Sequence, residues 1–373
     1  MRLVPISCIK ENTPLAKTIY DIDGRTLLKR GVPLNGKLIS KIKKYGIQSL
    51  YIDDNYSHME IKEIIKPEIK RRALKAIKST FDTLKKQSEH FDKNGTEHVS
   101  TLAQIAKDIV NDLLSRNQIF INLVDIKTMD NYTYEHSLSV AILSLILGVE
   151  VGLDKDELCD LCIGAMLHDV GKIFVPLEIL NKPSTLTQHE YEIIRSHASN
   201  GYDYLYNDHT VKSSSRLIAL QHHESCDGTG YPKCLMASQI HKFSKIVAIA
   251  DIYDAMTSDR PYRPGIQPHE VIEYIMGNAG GRFDYDLVVS FVRKIIPYPV
   301  GTLVELSTGH CAFVEEINVN YPLRPIVCIK APSDKDIDGK TIDLLEITNI
   351  VIRRIQYNLP GSNQGSLYKF SQQ

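Results

Sequence analysis

The run His222-His223-Glu224-Ser225-Cys226-Asp227-Gly228-Thr229-Gly230-Tyr231-Pro232 limits what this chain can fold into more than any other feature. Two adjacent imidazoles can ligate two different metal ions held close together. Such ions need further nitrogen and oxygen donors, and His168-Asp169-Val170-Gly171-Lys172 upstream and Asp251 downstream supply them. A fold that uses the run must bring these separate segments to one place.

The 373 residues suffice for two or three domains with one sizeable core. An apolar content of 43% and a charged content of 24% are those of a soluble globular protein. The net charge of -1 gives no bulk attraction to a nucleic-acid polymer or an anionic membrane. A phosphate-bearing ligand would therefore need local charge, from metals or a few placed Lys and Arg. The longest apolar stretch, Ala141 to Val149, is too short to span a bilayer, and the N-terminus lacks a signal-peptide core. A cytoplasmic protein is the simplest reading. Seven scattered cysteines fit a reducing compartment better than a disulfide framework. Cys159 and Cys162 lie in a helical pattern with no second pair, and read as buried core thiols.

The pattern along the chain predicts a mainly α protein. Residues 1–56 read as a small α+β accessory unit, with a hairpin turn at Asp21-Ile22-Asp23-Gly24, a helix from Lys37 to Tyr45 and a strand from Ile47 to Ile52. Residues 57–118 read as an amphipathic helical linker of two helices, broken near Asp92 to Gly95, with homodimerisation through these helices as an expectation. The basic cluster from Lys66 to Lys78 lacks aromatic platforms, so a solvated helix face is preferred to a nucleic-acid site. Residues 119–297 form the histidine-bearing domain: nine of the thirteen histidines fall between 136 and 269. No strand alternation is visible there, which predicts an all-helical bundle. Thr187 with Glu190 forms a capping box before a helix running through His197, Pro268 opens another helix and Asp284 caps a third. Residues 298–358 carry short β-type runs (302–306, 311–317, 325–329 and 350–355) with turns at Thr308-Gly309 and Asp338-Gly339, and read as a small β appendage. Residues 359–373 read as a disordered tail.

Each candidate donor has a plainer alternative. His168-Asp169 ends the apolar stretch Leu158 to Leu167, where the carboxylate could bridge two metals; Gly171 then suits a helix C-terminus. Lys172 would sit one turn on, where it neutralises a phosphate oxygen in the transition state or merely complements a helix end. His136 and His197, each taken alone, read as structural histidines; they become ligands because the two pairs need partners. Asp251 lies at the end of an apolar helix, where a buried carboxylate must be paired or coordinated. Asp254 shares its face and could hold a metal-ligating histidine or a basic residue. Arg260 and Arg263, in Arg260-Pro261-Tyr262-Arg263, either clamp phosphate or read a guanine edge, or form an exposed turn. Five histidines and two aspartates suffice for two metals with an open bridging position. The chemistry they imply is phosphate-ester hydrolysis, a hydroxide between the metals attacking phosphorus in line.

Residues 119–297 closely resemble the HD-GYP domain, a branch of the HD phosphohydrolase superfamily. The resemblance rests on His168 to Lys172, His222 to Pro232, Asp251-Ile252-Tyr253-Asp254-Ala255-Met256, Arg260 to Arg263 and Gly280-Gly281-Arg282-Phe283-Asp284. It implies an all-helical domain with bound iron or manganese that hydrolyses the bacterial second messenger cyclic di-GMP to linear pGpG and then GMP. It implies His136, His168, Asp169, His197, His222, His223 and Asp251 as metal ligands, Asp169 and Lys172 as catalytic, and Lys172, Tyr231, Asp254, Arg260 and Arg263 at the substrate. Family members often have Lys where Arg263 stands. Members with a third metal carry a Glu shortly before the first His; here Asn131 and Tyr132 occupy the positions five and four residues before His136. The resemblance therefore implies two divalent ions, with pGpG accumulating. Two other readings stand beside a cyclic di-GMP phosphodiesterase. One is a non-catalytic receptor or docking protein, against which the intact donor set argues. The other is a hydrolase of mononucleotides or of cyclic GMP-AMP; the Gly228 to Pro232 loop favours a dinucleotide without separating guanine from adenine.

Overall fold

The computed structural model describes residues 2–20, 25–44, 47, 49–53, 64–90, 96–116, 121–122, 132–182, 184–258, 265–331 and 336–357. The turn at 21–24, the linker break at 92–95, Asn131, Arg260, Arg263 and the tail after 358 lie outside them.

The chain divides into two compact units: Met1–Lys62, Thr128–Asp130 and Ile296–Gln373 in one, Glu63–Lys127 and Asn131–Ile295 in the other. In the first, β1 (Arg2–Pro5), β2 (Thr13–Pro14), β3 (Ile19–Tyr20), β4 (Thr26–Leu28), β5 (Pro33–Leu34), α1 (Gly36–Lys44) and β6 (Ser49–Ile52) form the N-terminal part. The strands pair antiparallel as β1 with β6, β2 with β5 and β3 with β4. Val4, Leu15, Leu34 and Leu50 make its core, and Tyr357 from the C-terminal part packs on them.

The helical unit is built on capping signals written in the sequence. It begins with α2 (Pro67–His90) and α3 (Thr96–Leu114), which pack on each other. Ala73, Ile77, Phe81, Ile105, Ile109 and Leu113 are buried, and α2 and α3 also pack on the helices that follow. Part of the amphipathic faces that suggested a homodimer is thus buried within the chain. Arg72 pairs with Asp108 at 2.7 Å, so part of the basic cluster is spent on α3. After the two-residue β7 (Ile121–Asn122) comes α4 (Tyr132–Glu150). From Leu138 to Leu147 α4 is buried all round, which makes it the central helix.

Around it lie α5 (Lys155–Leu167), α6 (Leu177–Leu180), α7 (Gln188–Arg195), α8 (His197–Tyr206), α9 (Ser213–Gln221), α10 (Lys242–Thr257), α11 (Pro268–Gly277) and α12 (Tyr285–Lys294). Asp154 and Glu157 form a full capping box on α5, and Thr187 and Glu190 form one on α7. Pro268 opens α11, and Asp284 caps α12 through Leu287 N. The helix predicted to run from Thr187 through His197 is instead two helices, broken at Ser196. The break puts His197 in the first turn of α8, where a ligand can face inward while α7 departs in its own direction. Cys159 and Cys162 are buried thiols of α5.

The two-residue β8 (Ile295–Ile296) pairs with β7. The C-terminal part is a five-stranded antiparallel sheet in the order β12-β11-β10-β9-β13, from β9 (Leu303–Leu306), β10 (Cys311–Glu316), β11 (Ile326–Lys330), β12 (Thr341–Asp343) and β13 (Ile352–Ile355). Its core is Val304, Leu306, Ala312, Val314, Val327, Ile329 and Leu344. The edge strand β12 has only three residues, too few for alternation to mark it in the sequence. The protein is mainly α: a helical bundle with a small β C-terminal region.

Candidate metal centre

The site is assembled almost entirely from helix ends. His136 stands in the first turns of α4, His168 is the C-cap of α5, and Asp169 follows it. His197 opens α8, His222 is the C-cap of α9 with His223 next, and Asp251 lies within α10 rather than at its end. Side chains at helix ends can converge without the helices themselves colliding. The close approach is made at Gly171, which sits in a short 3-10 turn, Val170–Phe174, rather than closing α5 as a left-handed cap. A Cβ on Gly171 would lie 1.9 Å from the His197 carbonyl oxygen and 2.6 Å from Gly201 N. The missing side chain lets the Asp169 turn rest directly on the start of α8.

The seven predicted donors meet as two sets. His136, His168 and Asp251 form one; Asp169, His197, His222 and His223 form the other, the donor atoms of each set lying within 4.8 Å of one another. Asp169 belongs to both by geometry. Its Oδ2 lies 3.4 Å from His168 Nε2 and 3.7 Å from His136 Nε2, while its Oδ1 lies 3.4 Å from His197 Nε2 and 3.8 Å from His222 Nε2. Asp251 spans in the same manner: Oδ1 is 3.1 Å from His136 Nε2, and Oδ2 is 3.9 Å from His223 Nδ1. His136, His168, Asp169, His197 and His222 form a buried floor; His223 and Asp251 are partly open.

Backbone carbonyls fix the rings. His168 Nδ1 donates to Ala165 O at 2.7 Å, His197 Nδ1 to Ile194 O at 2.6 Å, and His222 Nδ1 to Ile218 O and Ala219 O, both at 3.0 Å. In a neutral ring the proton is then on Nδ1, and Nε2 offers a lone pair to the site. His197 Nε2 and His222 Nε2 face each other at 3.3 Å. His168 Nε2 and Asp169 Oδ1 are buried with no hydrogen-bond partner among the described residues. Lone pairs aimed at one another and orphaned buried acceptors are what a cation between them would satisfy. Mixed imidazole and carboxylate donors suit a divalent transition ion such as iron or manganese.

The electrostatics point the same way. Burial holds His222 well below the ordinary histidine range and pulls His223 down to about 3, so both are neutral at neutral pH. Burial disfavours the Asp169 and Asp251 carboxylates, but Lys172 and His168 for the first, and His136 for the second, hold both far below the carboxylate range. His222, His223, Asp169 and Asp251 are thus in the protonation states that coordination requires; His136 is not. Burial works against a charge on His136, yet contacts with Asp251 and Asp254 outweigh it and raise it to about 10.

Asp254 lies behind one of the donors. It is buried, one turn on from Asp251 along α10, and its Oδ2 accepts from His136 Nδ1 at 2.7 Å. Removing a carboxylate behind a ligand typically costs 10- to 100-fold in metal affinity or activity. Asp254→Ala is expected to weaken divalent-ion binding by about that factor, read by titration against a competing chelator, with helical content unchanged. Unaltered affinity would show that His136 needs no such support.

Lys172 Nζ donates to Asp169 Oδ2, and its side chain is about a quarter exposed at the edge of the site. Tyr231 packs its ring on His223, with centroids 4.7 Å apart and 30° between planes. Its loop is held from below by Glu224, a residue the sequence reading passed over. The buried Glu224 carboxylate accepts from Lys233 N at 2.6 Å and Leu235 N at 2.9 Å. Arg195 was also missed; its guanidinium carbon lies 4.4 Å over the Tyr231 ring. Only an arginine near a histidine in sequence could have hinted at it.

The HD domain family model matches residues 96–287. The chain is 37% identical over 251 residues to the cyclic di-GMP phosphodiesterase PA4108 of Pseudomonas aeruginosa, covering 67% of this chain and 60% of that protein. It is 31% identical over 241 residues to the cyclic di-GMP phosphodiesterase PdeB of Borreliella burgdorferi, covering 64% and 60%. It is 33% identical over 225 residues to the 3'3'-cGAMP-specific phosphodiesterase 1 of Vibrio cholerae, covering 60% and 51%. The matches thus span between about half and three-fifths of these relatives. Among the described residues no helix is long and apolar enough to cross a membrane. With its paired His-Asp and His-His donors and the Gly-Tyr-Pro loop, the chain belongs to the HD domain family and to its HD-GYP branch.

Proposed function

We propose that this protein is a cytoplasmic metal-dependent phosphodiesterase that hydrolyses cyclic di-GMP to pGpG through a dinuclear centre of iron or manganese. The observation that carries the reading is the placement of Asp169, whose two carboxylate oxygens face two separate donor sets. Divalent ions in those sets would supply an acidified water and charge stabilisation for phosphate oxygens. The chain's own contribution is to hold the donors and to shape the approach. Asp169 and Asp251 span the two sets, Lys172 offers its ammonium to a non-bridging phosphate oxygen, and Tyr231 walls the opening beside His223. Arg260 and Arg263 are assigned to the substrate from sequence alone. The names of the Pseudomonas and Borreliella relatives support a cyclic dinucleotide, and that of the Vibrio relative supports cyclic GMP-AMP as the second substrate to try.

The test is turnover by protein loaded anaerobically with Fe(II) or Mn(II), offered cyclic di-GMP and cyclic GMP-AMP, with the products separated by chromatography. The reading expects pGpG from cyclic di-GMP, with little GMP. Tight binding without turnover would favour a receptor, and faster cleavage of cyclic GMP-AMP would reassign the substrate.

Metal uptake should also release a proton. With His136 raised to about 10, its ring is protonated at pH 7.5 in the ion-free protein. Coordination through Nε2 displaces that proton, while Nδ1 keeps its bond to Asp254. Lower pH favours the protonated ring, so affinity falls as pH falls, by about tenfold per unit below pH 10. Calorimetric titration in two buffers of different ionisation enthalpy should report about one proton released per chain from this ring. No release would contradict the assignment of His136.

A further inference from the structure

Arg195 is the last residue of α7, and neither the recognised motifs nor the two donor sets use it. Its guanidinium carbon lies 4.4 Å from the centroid of the Tyr231 ring and 5.7 Å from that of Tyr191. The Tyr231 ring in turn lies against His223. One aromatic ring therefore separates this cation from the set of Asp169, His197, His222 and His223. Arg195 is half-buried, and among the described residues it shows these ring contacts but no ion pair and no hydrogen bond. Other cations of the helical unit differ: Lys172 sits on Asp169, Lys182 on Glu190 at 2.6 Å and Lys212 on Asp160 at 2.9 Å.

A guanidinium stacked on a ring keeps its five N–H donors in its own plane, directed past the ring edge. Arg195 is held over two rings, so little freedom is lost when its donors are used. A half-buried cation with no ion pair among the described residues is matched by an anion that accepts two parallel N–H groups, and phosphate does so. A neutral base edge would take the hydrogen bonds but leave the charge uncompensated. A cyclic dinucleotide has two phosphodiesters on opposite sides of its ring. When one lies at the donor sets, the other must meet the wall of the site.

We infer that Arg195, held over the Tyr231 ring, binds the second, non-scissile phosphodiester of a cyclic dinucleotide. The inference rests on the proposed function and deepens it. It makes Arg195 a specificity residue, favouring substrates with two phosphodiesters over those with one.

The experiment compares wild type, Arg195→Met and Arg195→Lys, each loaded with Mn(II), on cyclic di-GMP, on cyclic di-AMP and on bis(p-nitrophenyl) phosphate. The last has a single phosphodiester. The loss of kcat/KM in Arg195→Met should be about 30-fold greater on cyclic di-GMP than on the chromogenic diester, and should lie in KM. Arg195→Lys keeps the charge without the fork and should fall between. The guanine-to-adenine preference should stay as in wild type. Equal losses on all three substrates, in either variant, would reveal a structural role and overturn the inference. So would a cyclic di-GMP activity that neither variant lowers, or a changed guanine-to-adenine preference, which would mean base reading. A wild type that cleaves only the chromogenic diester would overturn the proposed function and this inference together.

Discussion

Asp169→Ala is expected to abolish turnover, by at least about a thousandfold, and to lower bound metal well below the wild-type level. The reason is geometric. Oδ1 and Oδ2 lie 3.4 Å from imidazole nitrogens of different donor sets, so one carboxylate serves both. Alanine removes a donor from each set and deletes the negative charge that balances Lys172. Asp169→Asn keeps the shape, loses the charge and should behave almost as severely. Metal analysis beside turnover separates the outcomes. Lost activity with both ions retained would mean that Asp169 acts chemically without holding metal. Retained activity would mean that the site works by another route.

Gly171→Ala should be nearly as damaging, although it adds a single methyl group and touches no donor. The new Cβ would meet the His197 carbonyl oxygen at 1.9 Å, a backbone atom that cannot rotate away. Relief requires the Asp169 turn and the start of α8 to part. Overpacking of this kind costs about 3 kcal/mol, which lowers the melting midpoint of a unit of this size by roughly 5–10 °C. Parting also draws His197 from Asp169, so metal affinity should drop with stability. Thermal melting and metal titration of the same variant check both. A variant as stable as wild type would show that the two segments separate without cost.

Local signals were readable in the sequence, and relations between distant segments were readable only in part. The capping box at Thr187, the proline opening α11 and the Asp284 cap depend on residues within one turn, and each stands where the pattern put it. The convergence of seven donors from five helices was readable because adjacent donor pairs demand partners. The break at Ser196 was not, since the pattern of 188–206 stays helical through it and only packing on the Asp169 turn gives α8 its own direction. Gly171 was misread for a related reason: a glycine after a helix suggests a cap, whereas its close neighbour here is twenty-six residues on, at His197. Asp254 was read two ways, and the structure sets it behind His136. Arg195 carries no motif, and its place over Tyr231 arises from the meeting of α7 with the Gly-Tyr-Pro loop.

Two donor sets share Asp169, and counting ions tests that most directly. Protein loaded anaerobically with excess Mn(II) and freed of unbound metal should retain two ions per chain, one for each set, by elemental analysis. Three ions at full occupancy, or one, would contradict it.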